Sequence, residues 1–136
     1  MRWLLDTSAL LVFYRKEPAV DQVLALFDDP ANELLLCAIS VTEFGRKLYE
    51  LGQTAEEVEH AIDLHRPLFA RIEKVDEIVA RNALRLVRNM TTRLPAIDSL
   101  IAATAMTHQA CLVHRDQHMA AIPPELLPTL DLARGR

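Results

Sequence analysis

Four carboxylates in this chain stand at the ends of apolar runs. Asp6 follows Arg2-Trp3-Leu4-Leu5, Glu43 follows the run from Leu34 to Ile39, Asp98 heads Ser99-Leu100-Ile101-Ala102-Ala103-Thr104-Ala105, and Asp116 comes after Cys111-Leu112-Val113. They are spread from one terminus nearly to the other, so only tertiary structure can bring them together. In a parallel sheet the carboxyl ends of the strands open into one crevice, where ligands bind. Four carboxylates meeting there repel one another and require a cation. An all-oxygen donor set favours a hard ion such as Mg2+ or Mn2+. Such an arrangement suits metal-assisted phosphoryl chemistry.

The elements that must position these acids are short. Arg2 to Leu5 reads as a buried strand, with Thr7 or Ser8 capping a helix that runs to about Arg15. A second helix starts near Pro18 and ends near Asp29-Pro30. Glu33 to Ile39 is an unbroken apolar run, as expected of a strand buried on both faces. Ser40-Val41-Thr42-Glu43 reads as a capping box for a helix to Leu51, with Gly52 as its stop. Thr54-Ala55-Glu56-Glu57 is a second capping box, for a helix to about His65 that Pro67 breaks. Phe69 to Val75 alternates as a strand, and Asp76 to Met90 is an amphipathic helix. Another helix runs from about Ile97 to Gln109. Strands at Cys111–Val113 and Thr129–Leu132 flank one turn of helix at Met119 to Ile122. Strands alternating with helices in this order predict a three-layer α/β domain with a mostly parallel sheet of four to five strands. Right-handed crossovers then place every strand exit on one edge.

The 136 residues amount to about one domain, expected to be a single unit over 1–136, and 51% are apolar, enough for a core. Asp6 interrupts the first apolar stretch at once, unlike a secretory signal, and no stretch reads as a membrane span. Cys37 and Cys111 lie inside strand-like runs and read as reduced core thiols, consistent with a cytoplasmic protein. Neither has the spacing of a zinc site. The net charge of −4 argues against a general polyanion binder without excluding a local basic patch. There is no P-loop and no Gly-x-Gly-x-x-Gly, and only three glycines occur, so a glycine loop cradling phosphate is not supported.

Asp6-Thr7-Ser8-Ala9, the isolated Glu43, Asp98-Ser99-Leu100-Ile101-Ala102-Ala103-Thr104-Ala105 and Leu112-Val113-His114-Arg115-Asp116 resemble the motifs of the PIN-domain nucleases. More narrowly, they are similar to those of the bacterial toxin ribonucleases called VapC. The match runs through the whole chain in order. It implies a PIN-like α/β/α domain and a Mg2+- or Mn2+-dependent endoribonuclease acting as the toxin of a toxin–antitoxin pair. It further implies a VapB-like antitoxin partner, an RNA substrate and a bacterial or archaeal cytoplasm. Asp6 and Asp98 would be the central metal ligands. Asp116 would complete the shell, and Glu43 would bind metal or orient the attacking water. Leu10, Leu11, Phe13 and Tyr14 are many large apolar groups for one short helix; core burial is the default expectation, the alternative for some of them being a groove for the partner or a homodimer face.

Each acid also has a local role that needs no chemistry: Asp6 as a helix cap, Glu43 in a capping box, Asp98 at a helix dipole, Asp116 in a polar turn. The two readings are compatible, because a helix N-terminus offsets repulsion among clustered carboxylates. The chain departs from the family pattern at His118, where the family often has a further acid, and at His114, where it often has Thr. His118 is expected at the surface, the alternative being a ligand for a softer ion such as Mn2+. Arg81, Arg85 and Arg88 fall on one helical stripe opposite Val79, Ala83, Leu86 and Met90. They are either a solvated face or a phosphate track for RNA. Arg115, Thr7 and Ser8 are further candidates for substrate contact. The alternative to an enzyme is a PIN-like module that binds RNA or protein without cutting it.

Overall fold

The computed structural model describes residues 1–134. Its elements are β1 (Arg2–Leu5), α1 (Thr7–Arg15), α2 (Val20–Asp28), β2 (Glu33–Cys37), α3 (Ala38–Glu50), α4 (Ala55–His65), a 3-10 turn (Arg66–Leu68), β3 (Arg71–Glu73), α5 (Glu77–Arg88), α6 (Ala96–Thr107), β4 (Cys111–His114), α7 (Gln117–Ala120) and β5 (Thr129–Asp131). The strands form one sheet in the order β3-β2-β1-β4-β5. Every neighbouring pair is parallel, with Leu4 opposite Leu35 on one side and Leu112 on the other. The expected α/β/α layering with a five-stranded sheet is what forms.

The unbroken apolar runs have a plain cause: both faces of the sheet are covered. Leu5, Leu34, Leu36 and Val113 point to one layer and pack with Ala9, Leu10 and Val12 of α1, Val23 of α2, Phe44 and Leu48 of α3, and Val58 and Ala61 of α4. Leu4, Leu35, Cys37 and Leu112 alternate to the opposite layer, against Leu86 of α5, Ile101, Ala102 and Ala105 of α6, and Met119 of α7. Helix α6 is sandwiched between sheet and α5, where its Ala103 meets Val79 and Ala83. Its run of small residues permits that close approach on two sides. Cys37 and Cys111 are buried free thiols.

Local boundaries differ from the sequence expectation at several points. The cap of α1 is Asp6, whose Oδ1 accepts the N–H of Ala9 at 2.9 Å, rather than Thr7 or Ser8. Helix α2 begins two residues after Pro18, following Ala19 in a left-handed conformation (φ 80°). Strand β2 ends at Cys37 and α3 starts directly at Ala38. Ser40 to Glu43 therefore lies within the helix and is not a capping box. The apolar run continues past the strand because Ile39 packs on the same core as Leu35 and Cys37. Strand β3 is only three residues long. The capping box at Thr54 and Glu57 forms with both of its bonds, and Gly52 takes the positive φ (90°) that ends α3. Among the described residues, no helix is long and apolar enough to cross a membrane.

Candidate functional site

The chain reverses direction across the sheet between β1 and β4. From β1 it builds outward through β2 and β3, then returns to lay β4 on the other side of β1. A crevice opens beyond the strand ends at such a switch point. Asp6 leaves β1 there and Asp116 follows β4 closely. A cleft of about 410 Å³ lies at this edge, lined by Asp6, Thr7, Ser8, Leu11, Glu43, Arg46, Lys47, Glu50, Asp98, Ile101 and Asp116. The four acids singled out by sequence thus share one cavity.

Asp6 is 3% exposed. Its Oδ1 accepts from the Ser8 hydroxyl at 2.6 Å and from the N–H of Ala9 at 2.9 Å. Among the described residues no donor reaches its Oδ2. Burial raises the carboxyl from the usual value near 3.8 to about 7, against the lowering effect of those two bonds, with Asp116 and Asp98 adding repulsion. Ser8 also accepts the backbone N–H of Arg115 at 2.8 Å, so one hydroxyl ties the end of β1 to the loop after β4.

Glu43 reaches the cleft from the second turn of α3. Thr7 donates its hydroxyl to Glu43 Oε1, with the buried Ser40 hydroxyl 3.0 Å away. Asp98 sits in the first turn of α6, where the helix dipole favours a negative charge. Partial burial, then the charges of Asp116 and Glu43, nonetheless push its carboxyl up, and His118 partly offsets this. Asp116 caps α7, accepting the N–H of His118 at 2.6 Å.

His114, fully buried at the end of β4, accepts the N–H of Asp116 on Nδ1 at 3.2 Å. Burial holds its imidazole below the usual range, against the charges of Asp131 and Asp116. The buried ring thus braces the Asp116 backbone. His118 is half exposed, as expected of a surface residue, yet its imidazole belongs to the cluster. Its Nδ1 lies 3.3 Å from Asp116 Oδ1 and 3.9 Å from Asp98 Oδ2. One donor atom from each of Asp98, Asp116 and His118 falls within 4.8 Å of the others. This trio fits a divalent cation, and Asp6 lines the same cleft.

The arginines are arranged otherwise than the phosphate-track expectation needs. Arg81, Arg85 and Arg88 do not line the cleft. Arg81 pairs with Glu77 at 2.8 Å and Arg85 donates to Asn82 on the outer face of α5. Arg115 is exposed and its side chain lies 3.6 Å from Glu17. The cations that do line the cleft are Arg46 and Lys47, with Lys47 3.7 Å from Glu50. Sequence reasoning passed over them. The available signal was helical spacing, because Arg46, Lys47 and Glu50 lie three, four and seven residues after Glu43 and so share its face.

The coordinates are similar to several solved structures. A chain of VapBC2 from Rickettsia felis, in a structure bound to a DNA fragment from its promoter, has a TM-score of 0.77 at 18% identity, covering 96% of this chain and 98% of that one. A chain of FitAcB from Neisseria gonorrhoeae has a TM-score of 0.72 at 26% identity, covering 98% and 99%. VapC20 from Mycobacterium tuberculosis, described as a Sarcin-Ricin loop cleaving toxin, has a TM-score of 0.67 at 16% identity, covering 89% and 95%. No curated protein matches the sequence. The sequence fits the PIN domain pattern over residues 3–123, a span that holds all four cleft acids, and the chain belongs to the PIN domain family.

Proposed function

We propose that this protein is a metal-dependent endoribonuclease and the toxin of a toxin–antitoxin pair. The observation that carries the reading is the meeting of Asp6, Glu43, Asp98 and Asp116 in one cleft flanked by Arg46 and Lys47. Membership of the PIN family and likeness to the VapBC, FitAcB and VapC20 structures support it. Asp6, Asp98 and Asp116 would hold the cation, Mg2+ or Mn2+. When bound, such an ion neutralises charge on the phosphate oxygens and acidifies water.

The chain's own residues supply the rest. Arg46 and Lys47 attract the RNA backbone into a cleft that would otherwise repel it, and neutralise charge on the flanking phosphates. Glu43, held at one oxygen by Thr7, offers the other to orient the attacking water. The water oxygen bonds to phosphorus while the bond to the leaving ribose oxygen breaks, and the proton lost by the water is balanced by one gained at that oxygen. Leu11 and Ile101 supply apolar surface to the cleft lining. The partner would be a small antitoxin of the VapB kind. A groove between Phe13, Tyr14, Val20, Leu24 and His65, beside α1, is apolar enough to receive part of it.

The test is RNA cleavage by purified protein with Mg2+ or Mn2+, beside EDTA and Asp6→Asn controls. Cutting that is lost in both controls supports the reading. A folded protein that binds the ion and RNA but cuts no RNA would instead be a binding module.

A further inference from the structure

His118 lies two residues after Asp116, in the single turn of α7. The structure brings that imidazole to the cleft acids rather than away from them. Its Nδ1 stands 3.3 Å from Asp116 Oδ1 and 3.9 Å from Asp98 Oδ2. Two donors on one ion with bonds of about 2.1 Å lie about 3 Å apart at right angles and about 4.2 Å apart in opposition. The observed separations fall between these limits. The ring is also pre-positioned. The backbone N–H of His118 donates to Asp116 Oδ1 at 2.6 Å, and the next residue, Met119, is fully buried and pins the single turn of α7 in the core. Half of the His118 side chain remains open, which gives an ion a path in. A further acid, independent of this trio, lines the same cleft: Asp6 is almost entirely buried and, among the described residues, has no protein donor on Oδ2.

We propose that His118 is a nitrogen ligand in this centre and that it biases the site toward first-row transition ions over Mg2+. The inference rests on the reading of the cleft as a cation site and adds which ion the site selects. The physical basis is donor softness. Mg2+ prefers oxygen and sheds water reluctantly, so an imidazole in place of a carboxylate adds little to its binding. Mn2+ gains more from nitrogen, and Co2+, further along the Irving–Williams series, gains more again. Replacing an acid by histidine also removes one negative charge, and electrostatic attraction is the main contribution to Mg2+ binding. Affinity therefore follows the order Mg2+, Mn2+, Co2+ in this chain, and the spread narrows when an acid is restored. The competing reading of the same distances is a direct contact of His118 with the Asp98 and Asp116 carboxylates, with no ion between them.

The experiment is calorimetric titration of the full-length protein with Mg2+, Mn2+ and Co2+, each as the metal alone, for the native chain, His118→Asp, His118→Gln and Asp98→Asn. It is accompanied by pulsed electron paramagnetic resonance of the Mn2+-loaded samples, which detects a directly bonded nitrogen. The expected result is nitrogen coupling in the native chain that is absent in His118→Asp and His118→Gln. The Mn2+-to-Mg2+ affinity ratio should fall about tenfold in His118→Asp. An equal ratio in the native chain and His118→Asp overturns the proposal. So does native protein without nitrogen coupling, or coupling that survives in both His118 variants. Failure of the underlying reading looks different: Mn2+ binding that is absent, or unchanged in Asp98→Asn, means the cleft is not the cation site, and the proposal falls with it. Two variants of different chemistry guard against a folding defect in either one.

Discussion

Among the described residues the hydroxyl of Ser8 is the only side-chain donor to Asp6, at 2.6 Å, and the same oxygen accepts the backbone N–H of Arg115 at 2.8 Å. One small residue therefore sets the orientation of the most buried acid and fixes the loop that delivers Asp116. Ser8→Ala should leave the Arg115 N–H without its partner and Asp6 with only the Ala9 bond. The expected cost is about 1 kcal/mol of stability and roughly 10- to 100-fold in metal affinity. Chemical denaturation and metal titration check the two effects separately. Unchanged metal affinity would show that Ser8 does not orient the ligand.

The buried Asp6 carboxyl makes stability depend on pH in a definite direction. Its folded pKa of about 7 lies above the usual 3.8. The native state therefore holds a proton that the unfolded chain has lost over this window. Stability contributed by the protonated form is present at low pH and declines as pH rises from about 4 to about 7. Asp6→Asn keeps the Oδ1 acceptor and cannot ionise. Without metal it should melt higher than the native chain at about pH 8, with the difference vanishing near pH 4. A divalent ion should reverse the order at pH 8, because it stabilises only the chain that can bind it. Thermal melts at the two pH values, with and without Mn2+, decide the matter. A pH-independent difference would mean that Asp6 is not the titrating group.

Thr7 donates its hydroxyl to one oxygen of Glu43, which lines the cleft, and among the described residues no hydrogen bond reaches the other. If Glu43 orients the water, Glu43→Gln should lower single-turnover cleavage by about 10²- to 10⁴-fold with RNA affinity unchanged. Thr7→Val should lower it less, by about tenfold, since the carboxylate remains but is less constrained. Rates measured at saturating RNA distinguish this from a binding defect. Equal losses in the two variants would argue that the hydroxyl, not the carboxylate, is what matters.

Arg46 lines the cleft, whereas Arg85 lies on the outer face of α5 and donates to Asn82. Arg46→Ala should weaken RNA binding and reduce the slope of log affinity against log salt by about one, as expected for a lost phosphate contact. Arg85→Ala should leave the affinity for a short RNA unchanged and matter only for RNA long enough to reach α5. Filter binding over a salt series with short and long RNA tests both. An unchanged slope in Arg46→Ala would remove Arg46 from the path of the substrate.

The sequence by itself determined the parts whose cause is local. The unbroken apolar runs of β2 and β4 marked strands covered on both faces, and the strict helical period of α5 marked a helix with one buried side. The capping box at Thr54 and Glu57 formed as its residues require. The four acids were legible because each stands where an apolar run begins or ends. Tertiary structure decided what local spacing could not. Ser40 to Glu43 has the letters of a capping box, but β2 turns directly into α3, and Thr7, thirty-six residues from Glu43, takes the place of a cap as its partner. The arginine stripe on α5 read as either a solvated face or an RNA track; the packing of α5 on α6 keeps it off the cleft, which Arg46 and Lys47 line. For the His118 ring the sequence favoured the surface and left an ion ligand as the alternative. A single helical turn, anchored by Met119, aims it at Asp98 and Asp116, because the register of a short segment is set by what it packs against rather than by its own residues.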